Sequence, residues 1–300
     1  MKDVVILTLD FPPTFIGGIS AWSSDLADAF HDAGWAVTVV AKKSGDTFRY
    51  DQKKPYTIVR AKGRSWSKWQ SLWMRWAAGP HIQKDTLVIA ATWKSVHRLR
   101  TTIRKRQAQL AVAFHGSEIT TLGKPTDALQ SVIDASSHLF PVSHFLKEEL
   151  IRLGCISSDE RRLQVLPMPL DVRPKTTEHE RKNLICVARP TARKGIERAI
   201  RIAHITGRTI DLVGPTNGPP GTIAHGPLPR EQTLQMMASA EAIVLTPQAD
   251  ENGLGEEGLG LVLLEAAARG VPAIGCRTGG VPEAIGPGLI LDDPDNPDPE

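Results

Sequence analysis

The chain is short of several things at once, and each shortage excludes a class of protein. Only 3 of its 300 residues are cysteine. Cys155, Cys186 and Cys276 lie far apart, with neither a CxxC pair nor metal-ligand spacing. A disulfide framework is excluded, and a reducing, cytosolic compartment fits. No apolar run approaches the roughly 20 residues of a membrane-spanning helix. The amino terminus enters an apolar strand after two residues, without a cationic leader or cleavage site, so the chain is expected not to cross a membrane. Net charge is only +3, too little on its own account for a nucleic-acid binder. What remains is an ordinary soluble composition, 41% apolar and 23% charged, in a chain longer than one core usually serves. Two domains are therefore expected.

The small net charge conceals an asymmetry. Residues 60–106 hold twelve Lys/Arg and one acid, Asp85, a local balance of +11 that leaves −8 for the rest. A tract this basic suits an anionic surface better than it suits a core.

Hydrophobic patterning gives an α/β reading. A nearly continuous apolar run at 4–9 reads as a strand buried on both faces. A loop ending in Gly17–Gly18 follows, then a helical pattern over 19–33 that stops at Gly34, then a strand at 36–40. That is a parallel, doubly wound strand–helix–strand unit. Buried runs recur at 86–91, 111–114 and 138–142. Residues 165–174 hold three prolines, which resist helix and ladder alike, and read as a linker. The alternation then restarts, with strands expected at 183–188, 209–213, 242–245 and 271–275 and helices at 196–206, 230–240 and 259–269. The expected organisation is a Rossmann-like domain at 1–166, a hinge at 167–174, a second Rossmann-like domain at 175–291 and an acidic tail at 292–300. The tail, rich in acid and proline, is expected to contribute nothing to a core.

Several constellations fall where such folds do chemistry. Glu265 is the single carboxylate within the apolar run 261–268, which is costly unless hydrogen-bond donors, ribose hydroxyls for example, satisfy it. Glu257 lies just before that helix; the bland alternative makes it a loop charge and Glu265 solvent-facing. Arg189, Arg193 and Lys194 follow the first strand of the second half, at the carboxyl edge where doubly wound sheets bind ligands, and suit a diphosphate. Gly17 and Gly18 precede a helix whose free N–H groups suit a phosphate. His115 closes a strand of the first half, although a lone histidine is more often structural. Gly279–Gly280 could present N–H groups to a ligand or form only a turn. The GxGxxG match at 253–258 is discounted because its two glutamates would repel a pyrophosphate. The DxD match at Asp293 and Asp295 lies in the acidic tail and is given no role.

Taken in order, these elements resemble the retaining nucleotide-sugar glycosyltransferases of family 4, the glycosyltransferase group 1 type. The resemblance rests on the glycine pair, Val142–Ser143 ahead of Phe145, the Leu166–Pro167 to Asp171 hinge, Arg189 with Lys194–Gly195, Glu257-x7-Glu265, and Gly279–Gly280–Val281–Pro282–Glu283. It implies a GT-B fold, two Rossmann-like domains facing across a cleft, with the acceptor on the first and the nucleotide sugar on the second. By the same resemblance the second domain is incomplete, because further helices are expected. Carried over, Arg189 and Lys194 would hold the diphosphate, Glu265 the ribose and Glu257 the sugar hydroxyls. Leu261 and Val262 would offer backbone N–H groups, and Leu228 would lie near the base. Gly17 and Gly18 would approach the β-phosphate, and His115 would line the pocket near the anomeric carbon. Trp22 departs from the pattern, standing where a polar residue is usual. No metal or other cofactor is expected, since fixed cations can neutralise the leaving diphosphate. The implied activity is retaining hexosyl transfer from a UDP- or GDP-linked sugar, in polysaccharide, lipopolysaccharide or glycolipid assembly. The alternatives are an epimerase of the same fold and a non-catalytic protein binding nucleotide sugar or nucleic acid. Retention of Arg189, Lys194, Glu257 and Glu265 weighs against the last, so no nucleic-acid partner is expected.

One stretch falls outside the resemblance. Aromatic residues form only 5% of the chain, yet four of the 7 tryptophans fall between Arg64 and Trp76, at 66, 69, 73 and 76. On a helix these share one face within about 80°, with Arg64, Lys68 and Arg75 opposite. Such a face fits an anionic membrane interface, giving a cytoplasmic protein peripheral at the inner membrane face. Alternatively, the indoles pack on the first domain's sheet.

Overall fold

The computed structural model describes residues 2–13, 17–62, 68–166, 168, 181–286 and 288–296, without the side chains of 68–71. Contacts divide the chain into two compact units, Met1–Pro169 and Leu170–Glu300. Apart from Met168, the expected hinge at 167–174 lies outside the described residues.

The first unit runs β1 (Asp3–Thr8), α1 (Gly18–Asp32), β2 (Ala36–Lys42), α2 (Phe48–Asp51), β3 (Thr57–Ala61), α3 (Lys68–Ala78) and β4 (Leu87–Ala90). It continues with α4 (Trp93–Val96), α5 (Arg100–Lys105), β5 (Gln109–Phe114), α6 (Ser117–Thr120), α7 (Asp127–Ala135), β6 (His138–Pro141) and α8 (His144–Arg152). Its six strands are all parallel, in the order β3-β2-β1-β4-β5-β6. β1 is central, with Ile6 in register with Val39 on one side and Ile89 on the other. Helices on both faces explain why its side chains are apolar in succession rather than alternately. Val5, Leu7, Val88, Val112 and Phe114 build the core with Met74, Val96, Ile103 and Leu129 from the helices. Each fully buried aliphatic side chain contributes about 1.5–3 kcal/mol.

The second unit runs β7 (Leu184–Val187), α9 (Ile196–Ile205), β8 (Ile210–Val213), β9 (Thr222–Gly226), α10 (Arg230–Ala238) and β10 (Ala242–Leu245). Then follow α11 (Leu261–Ala267), β11 (Ala273–Cys276), α12 (Val281–Ala284) and β12 (Leu289–Leu291). Its parallel strands lie in the order β12-β11-β10-β7-β8-β9. Counted from β7, this is the order of the first unit repeated. Both sheets are doubly wound, as the buried runs predict.

Three strands escape the sequence reading: β3, β9 and β12. All three lie at sheet edges and are largely half-exposed, so they lack the continuous apolar signature of the central strands. The described part of the acidic tail carries surface ion pairs. Asp295 bonds Arg198 and lies 3.6 Å from Arg201, both on α9, and Asp292 pairs with Arg277.

On α3 the inward face is formed by Met74 and Ala78, both fully buried. Trp73 and Trp76 point outward, 45% and 72% exposed. These two indoles therefore flank the buried stripe without joining it, and the core-packing alternative fails for them. Residue 66 and the Trp69 side chain lie outside the described residues.

Candidate functional site

In the second unit β7 and β10 are neighbours, and from them the chain proceeds toward opposite edges of the sheet. This is the switch point, where the loops leaving the two carboxyl ends diverge and open a crevice. The loop after β7 carries Arg189, Arg193 and Lys194, and the loop after β10 leads to Glu257.

The two loops are stitched together. Thr246 Oγ1 donates to the Gly195 carbonyl at 3.2 Å, and the Gln248 N–H donates to the Arg193 carbonyl at 2.9 Å. Gly195 sits at φ 62°, and a Cβ there would collide with the Thr246 carbonyl oxygen. Only glycine allows this approach. The Arg193 guanidinium donates to the Gly255 carbonyl, so this cation ties the loops rather than facing an anion. Lys194 Nζ donates to the Glu257 carboxylate, bringing two of the sequence-predicted residues into direct contact. Arg189 is exposed and has no side-chain partner among the described residues.

Glu265 is buried on α11, as its apolar neighbours require. Its Oε1 accepts from Arg230 Nε at 3.2 Å and Nη2 at 3.0 Å. Sequence reasoning missed Arg230, because no spacing connects the first residue of α10 with the middle of α11. Leu228 lies two residues before Arg230 and is half-buried. Gly260, at φ 89°, starts α11, and the N–H groups of Leu261 and Val262 have no partner among the described residues. Gly279–Gly280 has the plainer role. The Gly279 N–H donates to Glu256 Oε1 at 3.2 Å, and the Gly280 N–H donates to the Glu257 carbonyl at 2.8 Å. The pair buttresses the Glu257 loop.

In the first unit Gly17 caps α1 with extended backbone, φ 175°, and a Cβ on it would meet nothing among the described residues. Neither backbone nor packing requires glycine there. His115 follows β5, and burial pushes its imidazole down to about 3. Its Nε2 is buried without a hydrogen-bond partner among the described residues. The buried Glu118 carboxylate accepts from the His115 N–H at 2.5 Å and the Gly116 N–H at 3.3 Å. Burial raises the Glu118 carboxyl above its ordinary range, and these bonds and Lys94 oppose the rise. Trp22, 2% exposed on α1, meets the His115 ring at 4.7 Å between centroids and 75° between planes. Among the described residues no cluster of His, Cys, Asp or Glu is arranged to hold a metal ion, and no helix is long and apolar enough to cross a membrane.

Two parallel doubly wound sheets, the second with a basic and acidic switch-point crevice, match the fold of GT-B glycosyltransferases. The chain belongs to the family described as Glycosyltransferase Family 4, whose profile matches residues 16–173; that of Glycosyl transferases group 1 matches residues 210–298. A GDP-mannose-dependent monoacylated alpha-(1-6)-phosphatidylinositol monomannoside mannosyltransferase of Corynebacterium glutamicum is 24% identical, covering 98% of this chain and 86% of that protein. A GDP-mannose-dependent alpha-(1-6)-phosphatidylinositol monomannoside mannosyltransferase of Mycobacterium tuberculosis is 28% identical, covering 97% and 86%. Among solved structures, Anabaena HepE in complex with UDP and glucose superposes with a TM-score of 0.75 at 15% identity, covering 97% of this chain and 86% of that one.

Proposed function

We propose that the chain is a retaining, metal-independent hexosyltransferase that takes its sugar from a nucleoside diphosphate and delivers it to a lipid-linked or saccharide acceptor. The observation that carries this reading is the meeting of Lys194 with Glu257 at the switch point of the second unit. Cleaving a glycosyl–phosphate bond leaves an anionic diphosphate and a cation-like sugar ring, so fixed positive charge at the leaving group is the main catalytic need. Arg189, Lys194 and the N–H groups of Leu261 and Val262 supply that charge without a cofactor. Glu257 receives the sugar hydroxyls and holds the Lys194 ammonium in place. Glu265, oriented by Arg230, receives the ribose, and Leu228 lies beside the base. In the first unit Gly17 and Gly18 leave room for phosphate at the start of α1, and His115 faces the sugar. GDP-mannose, the donor named for the Corynebacterium and Mycobacterium relatives, is the first to test.

A cytoplasmic enzyme with a lipid-linked acceptor would work at the inner membrane face. Trp73 and Trp76 support that placement, being exposed on α3 within the basic tract. Arg106, just past α5, donates to the Ile82 carbonyl at 2.6 Å and to the Gly79 carbonyl, which brings the end of the basic run against the end of α3. The tract is assigned to lipid headgroups and not to nucleic acid.

The test is a thermal-shift panel of GDP-, UDP- and ADP-sugars, followed by transfer in the presence of EDTA and proton NMR of the new linkage. Stabilisation by one donor class, activity that survives chelation and a retained anomer are expected. An inverted product, or loss on chelation restored by Mg²⁺ or Mn²⁺, refutes the corresponding part.

A further inference from the structure

The backbone of His115 is firmly held. Glu118 accepts its N–H and that of Gly116, and the Trp93 indole donates to the Glu118 carbonyl at 3.1 Å. None of these bonds touches the imidazole, whose two side-chain torsions they leave open. The ring nevertheless rests where Nε2 is buried and, among the described residues, unbonded, an arrangement an unrestrained histidine would leave for water. The indole of Trp22 meets the ring nearly edge-to-face. That is the favoured geometry for two aromatic systems. Trp22 is itself anchored: the next residue, Ser23, donates to Thr8 Oγ1 at 3.0 Å, tying the start of α1 to the end of β1.

We infer that Trp22 is a positioning residue, which holds the His115 imidazole in one orientation toward the donor sugar. This rests on the reading of His115 as a donor-facing group. The indole does its work from α1, four residues past Gly18, so one short helix segment carries both the phosphate-facing glycines and the wedge that sets the histidine. The departure from the family pattern at this position thus acquires a purpose in the donor site. Of the charged groups nearby, Glu118 bonds the backbone of the histidine loop and not its ring, and Lys94 acts on Glu118. A neutral imidazole offers one donor and one acceptor, as a sugar hydroxyl requires, whereas a protonated one offers donors alone. Without the indole, water reaches the ring, which then rotates and titrates in the usual histidine range, near 6.5.

The experiment compares wild type with Trp22→Phe, Trp22→Leu and His115→Ala, measuring kcat and donor KM from pH 5 to 8. Imidazole NMR is recorded in parallel. Trp22→Phe, which keeps a ring against the imidazole, should stay near wild type. Trp22→Leu should lose roughly 10–100-fold in kcat with little change in KM, the effect of a misplaced group, and its acid limb should move upward. Equal kcat and pH profiles in Trp22→Leu and wild type overturn the inference. So does an equal loss in Trp22→Phe and Trp22→Leu, which marks a merely structural role. If Trp22→Leu does not fold, Trp22→Met takes its place. The wild-type spectrum needs no variant: a His115 resonance titrating normally between pH 5 and 8 is also fatal. Full activity of His115→Ala would instead sink the donor-site reading itself.

Discussion

A carboxylate in an apolar helix must be answered by something, and for Glu265 the protein supplies the Arg230 guanidinium. Arg230 bonds one oxygen, Oε1, from two nitrogens. Removing the carboxylate by Glu265→Ala should leave the fold intact and weaken nucleotide binding by about 1.5–3 kcal/mol per charge-assisted bond lost. Arg230→Met should act on the nucleotide only through Glu265. In a double-mutant cycle read by calorimetry, the pair should then cost little more than Glu265→Ala alone. His115 adds a pH dependence. Its imidazole is held down to about 3 in the folded protein, against about 6.5 when unfolded. The unfolded chain therefore takes up the proton first. Stability from this group is complete above about 6.5 and is lost as pH falls toward 3. Glu118, raised by burial, works the other way and loses its contribution as pH rises. Urea midpoints between pH 4 and 7 should thus climb more steeply for wild type than for His115→Asn. The carboxylates and Lys194 were legible as residues because their motif spacing is local. Arg230, Glu118 and the Trp22–His115 contact were not, since each depends on elements that the sequence separates.

At the level of elements, the central strands announce themselves through unbroken apolar runs, whereas β3, β9 and β12 are half-exposed and carry too little pattern to be read. The loops show a comparable division among glycines. Gly195 lies in left-handed backbone hard against Thr246, while Gly17 lies in extended backbone with open space around it. Gly195→Ala should destabilise the second unit by about 1–3 kcal/mol from backbone strain alone, with the collision adding to it. Gly17→Ala should leave the melting temperature within a degree or so and impair transfer instead. Thermal melts and donor kinetics on the two variants separate a glycine kept for packing from one kept for a ligand. A large drop in stability for Gly17→Ala would contradict its phosphate-facing role.

For the whole molecule, the distribution of charge matters more than its sum. A tract of +11 bearing two exposed indoles, on a chain otherwise at −8, should bind vesicles containing anionic lipid and release them as salt rises. Flotation with anionic and neutral vesicles checks this, with Trp73→Ala/Trp76→Ala as the comparison. Both side chains are exposed, so the variant should fold and float less. Wild type that ignores anionic vesicles at low salt ends the membrane proposal.

The repeated strand order has a consequence for inheritance. Each sheet completes its ladders within its own half of the chain, and among the described residues no strand is lent by one half to the other. A recombination event near residue 170 would join two sheets that share no ladder among the described residues, with no register to renegotiate. New pairings of a first half with a second are therefore open to selection as single steps.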